Sequence, residues 1–217
     1  MKHFILRVLR LIFGVFLFAI GIVFVLEADI GYSPWEVFHV GLSKTTGLSI
    51  GSLSILTGAA VLVAVTIAGE KFGLGTIIGI IMTGVFIDLI LSLDIIPRAI
   101  NLPAGLIMLV AGLFILSFGT YFYMGSAFGA GPRDNLMVVL ARKTKFPIGV
   151  CRGAVELAVT AAGWLFGGMV GIGTVISVVG IGACVQTVFK LFKFDATAIK
   201  HENLAETIVF LTGGKKR

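Results

Sequence analysis

At 217 residues, 58% hydrophobic and only 13% charged, the chain carries about half the ~25% charge of a soluble globular domain, which excludes that class. Its formal charge of +6 is concentrated at Lys2, Arg7 and Arg10, at Arg142, Lys143 and Lys145, and at Lys215, Lys216 and Arg217. These clusters flank apolar runs or end the chain, as topology signals and contacts with anionic lipid headgroups do, and they argue against nucleic acid as a partner.

A helix needs ~20 apolar residues to cross the hydrocarbon core. Six segments qualify, at about 9–26, 50–69, 74–93, 103–124, 148–169 and 172–191. They predict an all-α membrane protein with one transmembrane domain over 1–192 and a basic cytoplasmic tail over 193–217. The first segment is preceded by basic residues, as in a signal peptide. Its length and its counterpart in the middle of the chain make it a span instead. Within the tail, Glu202 to Leu211 has the pattern of a short amphipathic helix. Cys151 and Cys184 fall inside apolar runs and read as small core residues, not as a disulfide framework.

That counterpart belongs to a duplication. A shift of 98 positions carries Gly14 and Gly21 onto Gly112 and Gly119, and Gly31 and Pro34 onto Gly129 and Pro132. The same shift carries Gly51 onto Gly149, Gly73-Leu74-Gly75-Thr76 onto Gly171-Ile172-Gly173-Thr174, and Gly84 onto Gly182. Matched glycines and prolines without a gap are hard to produce by chance, even in apolar sequence. The copies cover about 10–93 and 108–191. Each holds three spans and a short segment between the first two, at 33–46 and 131–144. A dozen residues cannot span, so these segments are predicted to be re-entrant or interfacial helices.

Three spans per copy predict that the second copy enters from the opposite side, giving inverted repeats. The basic residues agree: connection 27–49 carries Glu27, Asp29 and Glu36 against Lys44, whereas 125–147 carries Arg133, Arg142, Lys143 and Lys145 against Asp134. The positive-inside rule then places both termini in the cytoplasm of a bacterial inner membrane.

Ionisable residues inside spans are costly and each needs a reason. Arg152 and Glu156, four apart on one face of the fifth span, replace Ser54 and Gly58 of the first copy. They read either as a structural ion pair or as a substrate or proton site. Asp88 and Gln186 are repeat partners near the ends of the third and sixth spans. They read as interhelical hydrogen bonds or caps, or as the ends of a polar passage. Glu36 and Asp134 are partners on the short segments. Ser33-Pro34-Trp35-Glu36 has the form of a capping box, while the second segment lacks a hydroxyl at its cap, so that Gly131, Arg133 and nearby amides could hold an anion. His39 reads as a packing or headgroup contact, or as a group titrating near neutral pH. The two Gly-X-Gly-Thr stretches mark turns, with Thr capping the following helix. No metal-ligand, nucleophile-base or cofactor motif is present, so neither an enzyme nor a cofactor is expected.

On Gly31-Tyr32-Ser33-Pro34-Trp35-Glu36, Gly129-Ala130-Gly131-Pro132-Arg133-Asp134, the Arg152/Glu156 pair and Gly171-Ile172-Gly173-Thr174, the chain resembles the YczE-type bacterial membrane proteins, which look like distant relatives of the YitT group. The resemblance runs from about residue 8 to 192. It implies a polytopic cytoplasmic-membrane protein and brings no established binding site. The expected function is secondary transport or export of a small solute by alternating access. Arg152 and Glu156 would form its centre, with Glu36, Asp134, Asp88 and Gln186 lining the approaches. The alternative is a non-transporting accessory protein that docks a soluble partner through 125–147 and the tail. Lipids are the expected surroundings, and the many glycines leave room for a homo-oligomer.

Overall fold

The computed structural model describes residues 2–129 and 131–195, together with 199, 202–204, 206 and 207. Lys200, the terminal basic cluster and half of the tail helix expected over Glu202–Leu211 lie outside the described residues. Eight helices follow one another: α1 Lys2–Glu27, α2 Pro34–Thr46, α3 Ile50–Ile67, α4 Leu74–Ser92, α5 Leu102–Gly125, α6 Pro132–Thr144, α7 Ile148–Leu165 and α8 Ile172–Leu191. All but α2 and α6 are long and apolar enough to cross a membrane. Their outer faces carry bare hydrophobic side chains, with Ile67, Leu165 and Val179 each more than two-thirds exposed. Apolar surface of that extent is stable only against lipid.

The repeat found in the sequence recurs in the helix boundaries. The starts of α2, α3 and α4 fall 98 residues before those of α6, α7 and α8. Helices α3 and α7 stop earlier than their apolar runs suggest, because Gly69 and Gly167 adopt φ of 91° and 90°, the left-handed conformation that ends a helix. Helices α1 and α5 pack against each other at the centre of the bundle. They run antiparallel: Gly14 sits against Gly119 and Gly21 against Gly112, each too close for a side chain. A Cβ built on Gly14 would lie 2.5 Å from the Tyr123 amide nitrogen, and one on Gly21 2.6 Å from that of Leu116. Such backbone approach replaces the hydrophobic drive that is missing between helices in lipid. Around this pair α4 packs on α1 and α8 on α5, while α2 packs on α7 and α6 on α3.

The linkers follow the same scheme. Ile30, between α1 and α2, accepts a hydrogen bond from Gly173 N–H at 2.8 Å, and Phe128, between α5 and α6, accepts one from Gly75 N–H at 2.9 Å. Each linker thereby hooks the turn of the other copy. At those turns Thr76 and Thr174 accept from the N-cap amides of Gly73 and Gly171, the capping that Gly-X-Gly-Thr predicts. One pairing departs from the scheme. Helix α3 lies along α4, but α7 and α8 splay apart.

Candidate functional site

The two short helices bring their first turns together. Both begin with proline at N1, where the missing amide proton costs nothing, after an extended residue, Ser33 or Gly131. The Arg133 guanidinium lies 4.5 Å above the Trp35 ring and 3.8 Å from Glu36 Oε1. Trp35 and Arg133 are repeat partners, so this contact marks the place where the copies meet. The Ser33 hydroxyl does not cap α2, so the predicted capping box is not formed there. Glu36, only 4% exposed, faces a cation across the junction, which a buried carboxylate needs more than a helix cap. At the start of α6 the Asp134 carboxylate folds back to within 3.0 Å of where a Gly131 Cβ would stand. A carboxylate therefore faces the amides expected to hold an anion.

These first turns open onto a cavity of about 480 Å³ at the junction of the copies. Helices α1 and α5 supply apolar wall through Val15, Ile22 and Leu116, and α7 supplies Arg152 and Glu156. Arg152 Nε donates to Glu156 Oε1 at 2.8 Å; the arginine side chain is 42% exposed and the glutamate 11%. The pair is therefore bonded within its own helix while facing open space, and is not spent tying α7 to a neighbour. Ser54 and Gly58, its counterparts, also line the cavity. So do Tyr123 and Ser177, whose buried hydroxyl makes no hydrogen bond to the protein.

Of the six residues singled out in the sequence, Arg152, Glu156, Glu36, Asp134 and Gln186 line this one cavity. Asp88 does not. Its carboxylate accepts from the Ser49 hydroxyl at 2.6 Å and from Gly51 N–H at 2.8 Å, fastening α4 to the start of α3. His39 is buried on α2, away from the cavity lining, with Nε2 making no hydrogen bond. Trp35 as the seat of the guanidinium was not legible beforehand. Its signal was the Trp35/Arg133 correspondence, because residues at equal positions of two copies meet near the axis relating them. The cavity offers guanidinium and carboxylate groups within an apolar wall, which suits a small solute carrying charge. Among the described residues no group of three or more His, Cys, Asp or Glu is placed to hold a metal ion.

The fold and site thus define a multi-helix membrane protein with a charged cavity between two copies of one unit. The chain belongs to the family of unknown function DUF6198, which it matches over residues 5–190. It is 34% identical to an uncharacterized protein of Haemophilus influenzae, over 81% of this chain and 80% of the relative. It is 30% identical to the uncharacterized membrane protein YczE of Bacillus subtilis, over 78% of this chain and 79% of the relative. A third relative, YyaS of Bacillus subtilis, is 31% identical over 76% of this chain and 83% of its own length. The YczE-type resemblance read from the motifs is thereby established. No solved structure matches the chain.

Proposed function

We propose that the protein is a secondary transporter that moves a small charged solute across the bacterial inner membrane by alternating access between inverted repeats. The observation that carries this reading is the cavity itself, built from both short helices and from spans of both copies, with unshared charges on one wall. Antiparallel α1 and α5, the exchanged linker contacts and the charge bias of the loops support inversion. Discontinuous segments meeting at the centre of such repeats are where secondary transporters bind substrate. Arg152 would hold an anionic group of the solute, and Glu156 would carry the coupling proton or hold a cationic group.

Proteoliposomes loaded with a pH-sensitive dye, challenged with a panel of small organic anions, cations and zwitterions, test this. The expected result is solute-dependent proton movement that is lost in Glu156→Gln, with the variant still eluting as a folded species. Proton movement unchanged by that substitution would remove Glu156 from the mechanism. The accessory alternative predicts the reverse sensitivity, to charge reversal of Arg142, Lys143 and Lys145 and not to changes at Arg152 or Glu156.

A further inference from the structure

The departure of α7 and α8 from the repeat is ordered. In the first copy Gly51 and Gly84 form a closed contact between α3 and α4: a Cβ on Gly84 would lie 2.4 Å from the Gly51 carbonyl oxygen. Asp88 locks it by accepting from Ser49 and from the Gly51 amide. In the second copy the same positions are Gly149, Gly182 and Gln186. A Cβ on Gly149 or on Gly182 would meet nothing within 4 Å, and Gly153 is equally open. The start of α7 has no side-chain cap, since Pro147 stands where Ser49 does. The cavity reaches Gly182 and Gln186 but not Gly51, Gly84 or Asp88. One copy is thus shut at the point where the other is open.

We propose that Gly149 and Gly182 form a second gate that closes as Gly51 and Gly84 do, with the Gln186 side-chain carbonyl accepting from the Gly149 amide in the role of Asp88. The inference rests on the transporter reading and adds the moving part. Opening one gate while shutting the other exchanges the conformations of the two copies, and it carries the cavity from one side of the membrane to the other. With the termini in the cytoplasm, the observed state opens inward. The chemistry of the locks agrees with that state being the one occupied. A carboxylate accepting from an amide and a hydroxyl makes a charge-assisted contact, roughly twice as strong as the neutral one glutamine offers. The outer gate is the better fastened. The face of α7 is a row of small residues that could otherwise seat a second copy. The commitment to α8 as its occupant comes from the closed counterpart in the first copy.

The test uses full-length protein with Cys151 and Cys184 replaced by serine and alanine and with Thr83→Cys as reporter, a cavity-lining position on α4. The probe is a membrane-impermeant cationic methanethiosulfonate, applied to right-side-out and inside-out vesicles. The parent is expected to react from both sides, faster from the cytoplasm. Gly182→Leu has room in the open state, so the protein should fold normally, yet its side chain blocks closure. Reaction from outside should fall at least about tenfold, with the cytoplasmic rate undiminished. Asp88→Asn should shift the two rates the opposite way. As a direct measure, Pro147→Cys with Gln186→Cys should be joined within one chain by a short bifunctional methanethiosulfonate. If Gly182→Leu leaves both rates as in a two-sided parent, the gate is wrong and the transporter reading stands. A parent that reacts from one side only, with Asp88→Asn unable to open the other, overturns both. A crosslinked dimer in place of the intrachain product assigns the α7 face to a second copy and overturns the gate.

Discussion

Glu36 and Arg133 belong to different copies, and they pair with each other across the junction. Removing the guanidinium strands a buried carboxylate, which typically costs about 3–5 kcal/mol, while losing its stack on Trp35 costs ~1–2 kcal/mol more. Lysine keeps the charge but not the planar fork, so it recovers only the first part. Thermal unfolding in detergent should therefore rank the native protein above Arg133→Lys and Arg133→Ala below both. Adding Glu36→Gln to Arg133→Ala should restore part of the loss, as a double-mutant cycle would measure. A cost of Glu36→Gln that is the same in the native protein and in Arg133→Ala would show that the two groups are not coupled. At this scale the sequence exposed the cavity's charged groups but little of its wall, because an ionisable residue in an apolar run has few reasons to be there. It separated Asp88 from the others poorly, since a carboxylate near a helix end has the same composition whether it caps a neighbour or lines a passage. Only the Ser49 and Gly51 contacts distinguish the two.

Helices α1 and α5 hold the copies together through backbone contact, and no charge or strong hydrogen bond between them is needed for it. The consequence is sensitivity to single methyl groups. Gly21→Ala places a carbon 2.6 Å from a main-chain nitrogen, and relief requires the helices to separate. A cost of roughly 1–3 kcal/mol is expected, with Gly14→Ala similar. Gly153→Ala, whose Cβ meets nothing within 4 Å, should be neutral in the same unfolding assay. A different length of reach applies at α3. Asp88→Ala removes two accepted hydrogen bonds at its first turn and should cost about 1 kcal/mol, while the Ser49 hydroxyl still accepts from Ser52 N–H. The spans themselves were legible because length and hydropathy suffice to define them. Their ends were not, because a left-handed glycine inside an apolar run, such as Gly167, is invisible to composition.

For the whole molecule, the loops decide how the copies sit in the membrane, and the same residues latch them to the bundle. Arg142 at the end of α6 donates to the Ala68 carbonyl and pairs with Glu70 at 2.6 Å, while its partner Lys44 at the end of α2 donates to the Gly167 carbonyl at 2.8 Å. Both latches donate to a carbonyl just past a helix end, but only Arg142 adds an ion pair, and the surrounding charge differs as well: 125–147 is rich in Arg and Lys, and 27–49 is acidic. A symmetric bundle could insert either way, and by the positive-inside rule this imbalance is expected to select one orientation. The duplication was legible because glycine and proline positions survive where apolar ones drift. The open state of α7 and α8 was not, since the glycines at Gly51 and Gly149 are identical and only their neighbours differ. Orientation is accordingly a testable property of the charges. A cysteine at Lys145 should react with an impermeant maleimide only in inside-out vesicles, and one at Asp94 only in right-side-out vesicles. Neutralising Arg142, Lys143 and Lys145 together should give a mixed population in which each site labels from both sides. Labelling of both native-charge sites from the same side would require an even number of crossings between them, and with it parallel copies in place of inverted ones.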